Sequence, residues 1–108
     1  MDFTKIRFDD SSVKNIRIFD DAVEVDYLDW QEKQITLRFE DAISCFSLSP
    51  HGKALSHGTI ETSGSYLHEC CEIAEENRIE GFVVFNFVAV WTDRRILRIV
   101  ARSVAIVS

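Results

Sequence analysis

The sequence predicts an α+β domain that is mostly β: an antiparallel sheet of roughly 5–7 strands, curled or sandwich-like, with one helix near 65–78 packed on it. Three observations carry that prediction. Apolar and polar residues alternate on both sides of a polar turn between 23 and 39. The chain from 81 onward is rich in Val, Ile and Phe, and only 65–78 spaces its apolar residues at helical intervals. The 108 residues, 46% hydrophobic and 28% charged, suit one domain over 1–108 with one core. Four glycines and one proline leave no linker or low-complexity tract.

Phe3 to Phe8 reads as a short strand or a lead-in turn, broken by Asp9-Asp10-Ser11-Ser12. Short polar side chains bond their own backbone and so favour turns. Val13 to Phe19 resumes a strand, and Asp20-Asp21-Ala22 ends it. Val23, Val25 and Tyr27 then alternate with Glu24 and Asp26, and Ile35, Leu37 and Phe39 alternate with Thr36 and Arg38. Around a Gln31-Glu32-Lys33 turn this is an antiparallel hairpin. If the apolar sets share a face, Tyr27 lies opposite Ile35, Val25 opposite Leu37 and Val23 opposite Phe39. The same register sets Glu24 across from Arg38 on the wet face, so two independent features agree.

Ala42 to Leu48 is a further strand, bent, ended by Pro50-His51-Gly52. A loop containing Gly58 follows, and Thr59 to Thr62 reads as a short edge strand. The helix carries an apolar stripe of Tyr66, Cys70, Ile73, Ala74 and Asn77, with Glu69, Glu72 and Glu76 opposite. Ser65 suits its N-cap, Arg78 its C-terminal end and Gly81 its stop. Phe82 to Trp91 is apolar on both faces, as a central strand is, and Arg94 to Val107 is rich in β-branched residues. A C-terminal hairpin in the middle of the sheet follows from these runs. With its turn at Thr92-Asp93, Trp91 faces Arg94, Ala89 faces Ile96, Phe87 faces Arg98 and Phe85 faces Val100.

Net charge is −6, distributed unevenly. Residues 1–41 hold eleven acids against six Lys/Arg, and 42–80 hold six against two. From 81 onward Asp93 stands alone against Arg94, Arg95, Arg98 and Arg102. An acidic domain repels phosphate backbones, which argues against nucleic acid and for a basic protein partner. No run reaches the roughly 18 apolar residues of a membrane span, and no secretory signal opens the chain. Three cysteines, two of them adjacent, do not form a secreted disulfide framework, so a cytoplasmic location is expected.

Two clusters could recognise a partner. One is the hairpin face, where Phe85, Phe87 and Trp91 mix with Arg94, Arg98 and Arg102. Aromatic and Arg side chains are enriched at interfaces, although Arg stems also cover aromatics on ordinary surfaces. The other is the acidic strand start, Asp20, Asp21, Glu24 and Asp26, suited to steering a basic partner. His68, Cys70, Cys71, Cys45, His51 and His57 invite a metal reading, but no C-x-x-C or H-x-x-x-H pair is present and adjacent helical cysteines point about 100° apart. Neither metal nor cofactor is expected. The acid pairs Asp9-Asp10, Asp20-Asp21 and Glu40-Asp41 fall at strand ends as turn residues rather than converging catalysts. Asn86, alone in an apolar strand, marks a satisfied core hydrogen bond or a bulge.

The stretch Phe19-Asp20-Asp21-Ala22-Val23-Glu24-Val25-Asp26, then Gln34-Ile35-Thr36-Leu37-Arg38-Phe39-Glu40-Asp41, resembles small bacterial immunity-type and other β-rich domains. In those an acidic strand precedes an L-x-L-x-F strand. The run Leu97 to Ile106 is similar to their closing strand. The resemblance implies a non-enzymatic domain that binds and neutralises a partner protein, and it transfers no functional residue. A protein-binding module, immunity-like or a homodimer through its strand edges, is therefore the leading expectation. The alternative is a sheet-and-helix pocket for a small apolar ligand, lined by Phe82, Phe85, Phe87 and Trp91. A metal-dependent enzyme ranks third.

Overall fold

A computed structural model of the chain describes residues 1–107. Among them one α-helix, α1 (Ser65–Ile73), interrupts a series of strands: β1 (Ser11–Ile18), β2 (Ala22–Leu28), β3 (Gln34–Glu40), β4 (Ser44–Ser47), β5 (Ala54–Glu61), β6 (Val83–Ala89), β7 (Arg95–Ala101) and β8 (Ser103–Ile106). Phe3–Lys5 forms a single 3-10 turn capped by the Asp2 carboxylate. The strands make one antiparallel sheet in the order β4-β7-β6-β5-β1-β2-β3-β8. The mostly-β, one-helix expectation holds, with eight strands among the described residues rather than five to seven.

The β2–β3 hairpin has the register its alternation predicts: Val23 pairs with Phe39, Glu24 with Arg38, Val25 with Leu37 and Tyr27 with Ile35. Its turn is held by the Asp29 carboxylate, which accepts from the backbone N–H of Gln31 (2.9 Å) and Lys33 (2.8 Å). Past Glu40, the chain turns sharply at Asp41, whose φ is 53°. β3 pairs with β8 and β4 with β7, so β3–β4 and β8–β7 run as one bent two-stranded ribbon. Asp41, Ala42 and Ile43 stand against Ala101 and Arg102 at its bend. One extra residue on one side of a ladder bends it. The ribbon ties together strands from the two ends of the sheet, enclosing the main core.

That core takes Val23, Val25, Tyr27, Leu37, Phe39, Leu55, Phe85, Phe87, Leu97 and Ile99 from the strands, with Phe3 and Phe8 inserted from the N-terminal segment. Phe3 stacks edge-on against Phe85 and Phe87 with ring centroids 5.2 and 5.3 Å away. β5 has room for it because Gly58 faces inward. A Cβ there would lie 2.6 Å from the Phe3 ring and 3.0 Å from Phe8. A second, smaller core lies where Leu67 and Cys71 of α1 meet Phe82, Val84 and Val100.

Five expectations are corrected. Thr59–Thr62 is not an edge strand: β5 begins at Ala54 and lies between β1 and β6. The helix ends at Ile73 instead of 78. Glu75 takes φ 57°, with Glu75 N–H donating to the Glu72 carbonyl and Glu76 N–H to that of Cys71. This is a Schellman stop that normally uses Gly. The buried stripe holds Leu67 and Cys71, while Ile73 faces outward. Finally, the last run is two strands broken at Arg102, and the β6–β7 hairpin lies second and third from one end of the strand order, not in its middle.

Candidate functional site

The register of the β6–β7 hairpin decides which residues share a face. Phe85 pairs with Ile99, Asn86 with Arg98 and Phe87 with Leu97, one residue away from the predicted pairing. Asp93 adopts φ 54° in the turn, and a bulge follows between Phe87 and Val88. Because side chains alternate, a one-residue slip exchanges the faces. The aromatic-and-arginine face therefore does not form as expected. Phe85 and Phe87 point into the main core, 5% and 0% exposed, whereas Arg98 shares the opposite face with Asn86.

That opposite face, across β4, β7, β6 and β5, is the candidate site. Its floor is a polar network around Asn86, which is wholly buried. Asn86 Nδ2 donates to Thr59 Oγ1 (3.2 Å) and Glu61 Oε2 (2.8 Å), and its Oδ1 accepts from Arg98 Nε (3.0 Å). Arg98 Nη2 reaches Glu61 at 2.9 Å, and Arg95 lies 3.7 Å from the same oxygen. Burial pushes the Glu61 carboxyl up, but the Asn86 bond and the two guanidinium groups outweigh it and hold the group below its ordinary value. The Arg98 guanidinium also lies 3.8 Å from the centre of the Tyr66 ring on α1. Asn86 is thus a satisfied core polar group, as its isolation in an apolar strand predicts.

Above this floor opens a groove of about 670 Å³, lined by Phe46, Leu48, His57, Val88, Arg94, Arg95 and Arg98 among others. A neighbouring cavity of about 500 Å³, walled by Lys53, Val90, Trp91 and Ile96, shares Leu48 and Arg94 with it. Phe46, Leu48 and Val90 are each nearly half exposed, and Trp91, at the hairpin tip, is 92% exposed. Arg94 makes no ion pair among the described residues. Phe46, Leu48 and His57 were not among the site residues expected. Their signal, an exposed apolar pair beside a bent strand, becomes visible only once β4 is known to lie against β7.

The remaining expected residues separate. Arg102 turns away, its guanidinium 4.2 Å from the centre of the Phe82 ring and donating to the Glu80 carbonyl at 3.4 Å. Glu24 and Asp26 belong to an ion-pair ladder over β1, β2 and β3. Arg17 bonds both Glu24 (3.0 Å) and Asp26, and Arg38 bonds Glu24 (2.9 Å) and Glu40. Asp26 is buried and also accepts from Thr36 Oγ1 at 2.6 Å. The Arg17 bonds, assisted by Thr36 against the cost of burial, draw its carboxyl down to about 2. Only Asp20 and Asp21 of the acidic cluster remain exposed in the turn.

Phe82, Phe85, Phe87 and Trp91 do not wall a common pocket, since they belong to two cores and to the surface. Among the described residues no three His, Cys, Asp or Glu side chains converge as metal ligands, and no helix is long and apolar enough to cross a membrane. The three cysteines are unpaired, and burial raises the thiols of Cys45 and Cys71. A raised pKa withholds the reactive thiolate. Compared with protein-family models, curated proteins and solved structures, the chain matches none of the three.

Proposed function

We propose that this domain is a non-enzymatic protein-binding module that seats a partner in the groove over β4, β7, β6 and β5 and anchors it at Trp91. The observation that carries this reading is the pair of linked cavities rimmed by Phe46, Leu48, Trp91 and Arg94. Trp and Arg are enriched among interface hot spots because they bury large area while keeping a polar handle. A half-exposed Phe and Leu beside them form an apolar patch that a partner would withdraw from water, at roughly 25 cal/mol per Å². The groove is better suited to a polypeptide than to an apolar small molecule, since three arginines and His57 line it. An immunity-like role, in which the bound partner is neutralised, accords with the resemblance of the β2–β3 hairpin to such domains. Asp20 and Asp21 stay open to a basic partner's long-range field, while Glu24 and Asp26 are held by Arg17 and Arg38.

Affinity capture from native lysate tests this reading, with a Phe46→Ala/Trp91→Ala variant as the comparison. The wild-type domain should retain a protein that the variant loses, with the variant's melting temperature unchanged. Identical retained proteins on both would contradict the proposal.

A further inference from the structure

We infer that β4 is a docking edge: an extended segment of a partner protein adds to the sheet as a strand beside β4. The segment places apolar side chains at alternate positions against Phe46 and Leu48, and a carboxylate beside Arg94 and Arg95. This rests on the protein-binding reading and names its mode.

Four observations converge. β4 is the terminal strand in the order and pairs only with β7, so its other edge has no strand partner among the described residues. Natural sheets protect such edges with short length, charged side chains, Pro or bulges. β4, Ser44-Cys45-Phe46-Ser47, is short but carries no charge and no Pro, and the ribbon's extra residue falls before it, at 41–43. The backbone has an outward donor in the right place. Leu48 N–H donates to the Ile96 carbonyl at 2.8 Å, and N–H groups alternate along a strand, so Ser47 N–H points away from β7.

Side chains supply the selectivity that a four-residue edge lacks. Phe46 pairs with Arg98 and so lies on the outer face, as does Leu48 two residues on. An added strand lies about 4.8 Å from β4, and its residues on that face meet Phe46 and Leu48 at the same two-residue period. Beyond Leu48 the groove is lined by Arg94, which has no carboxylate partner among the described residues, and Arg95, whose contact with Glu61 is long at 3.7 Å. The charge that completes this end is negative. An acidic side chain or terminal carboxylate there gains a charge-assisted bond.

The test uses a short capped peptide alternating valine and threonine and ending in glutamate, titrated into the full chain and followed by backbone amide NMR and hydrogen exchange. Binding should shift the amides of Ser44 to Leu48 and of Arg94, and slow exchange at Ser47. Ser47→Pro removes the outward donor but leaves the Leu48 bond to β7, and should weaken the peptide roughly tenfold or more at an unchanged melting temperature. Arg94→Glu, a surface change with no effect on the edge, should reverse the preference for the glutamate peptide over its lysine-ending counterpart. A peptide that shifts no β4 amide, or binds Ser47→Pro as tightly as wild type, overturns the inference. So does a dimer of the chain alone that Ser47→Pro abolishes, since the occupant would then be a second copy. If a partner captured through Phe46 and Trp91 leaves Ser47 exchange unprotected, strand addition fails while the protein-binding reading stands.

Discussion

Asp26 shows how one residue's environment redirects its role. In the sequence it is one of four acids near a strand start; in the fold it is buried and bonded by Arg17, Thr36 and, at 3.4 Å, Asn15. Its carboxyl is drawn to about 2 from an ordinary 3.8. A carboxyl depressed on folding binds its proton more readily in the unfolded chain. Its contribution is therefore complete above the unfolded value, near pH 4 and higher, and is lost as pH falls through the folded value near 2. Asp26→Asn should cost about 1–3 kcal/mol at neutral pH, because it leaves the partly buried Arg17 bonds unmatched. It should also flatten the acid limb of stability between roughly pH 4 and 2. Urea unfolding of both proteins across that range measures this. A variant whose deficit is the same at pH 2 as at pH 7 would contradict the assignment. Asp26 and Glu24 could not have been separated from Asp20 and Asp21 by sequence, because that distinction depends on Arg17 of β1 lying beside both on β2.

At the scale of elements, what was legible in the sequence follows from how strongly each pattern constrains register. In β2 and β3 one face is apolar and the other charged, so a one-residue slip would bury Glu24 and Arg38. The predicted pairing is the observed one. In β6 both faces are apolar, and the helix covers the face that would otherwise be wet. Nothing in that pattern forbids a slip, and the left-handed Asp93 and the bulge after Phe87 produced one. β5 was hidden for the opposite reason. Ala-Leu-Ser-His-Gly is a poor strand pattern, yet Gly58 is the residue that lets the Phe3 ring reach the core. Gly58→Ala should lose about 1–3 kcal/mol by overpacking against backbone-anchored aromatic rings. Chemical denaturation reads this directly, and a loss under roughly 0.5 kcal/mol would show that Phe3 can move aside. The helical spacing over 65–78 predicts α1 with a different buried face and a later end, since only Val84 and Val100 packed against it select Leu67 and Cys71 over Ile73.

For the whole molecule, the bent ribbon of β3–β4 against β8–β7 is the organising feature. It ties strands from both ends of the sheet around a core fed by Phe3 and Phe8, and leaves β4 as an edge beside an arginine-rimmed groove. The sequence places Trp91 and Arg94 on the surface of the C-terminal hairpin, where both are exposed. It did not indicate that Phe46 and Leu48 complete that surface, because their neighbours come from a strand some fifty residues later in the chain. Of the acids in residues 1–80, Glu61 pairs with Arg95 and Arg98 in the groove floor, Glu24 and Asp26 are held by Arg17 and Arg38, and Asp20 and Asp21 stay exposed. The proposed seat of the partner is the groove and not the far side of the sheet. A photo-crosslinking side chain placed at Phe46, and separately at Trp30 in the β2–β3 turn at the far end of the ribbon, tests it most directly in native cells. A partner seated on the groove gives a discrete protein adduct from position 46 and none from position 30; no adduct at 46, or the same adduct from both, places the partner elsewhere.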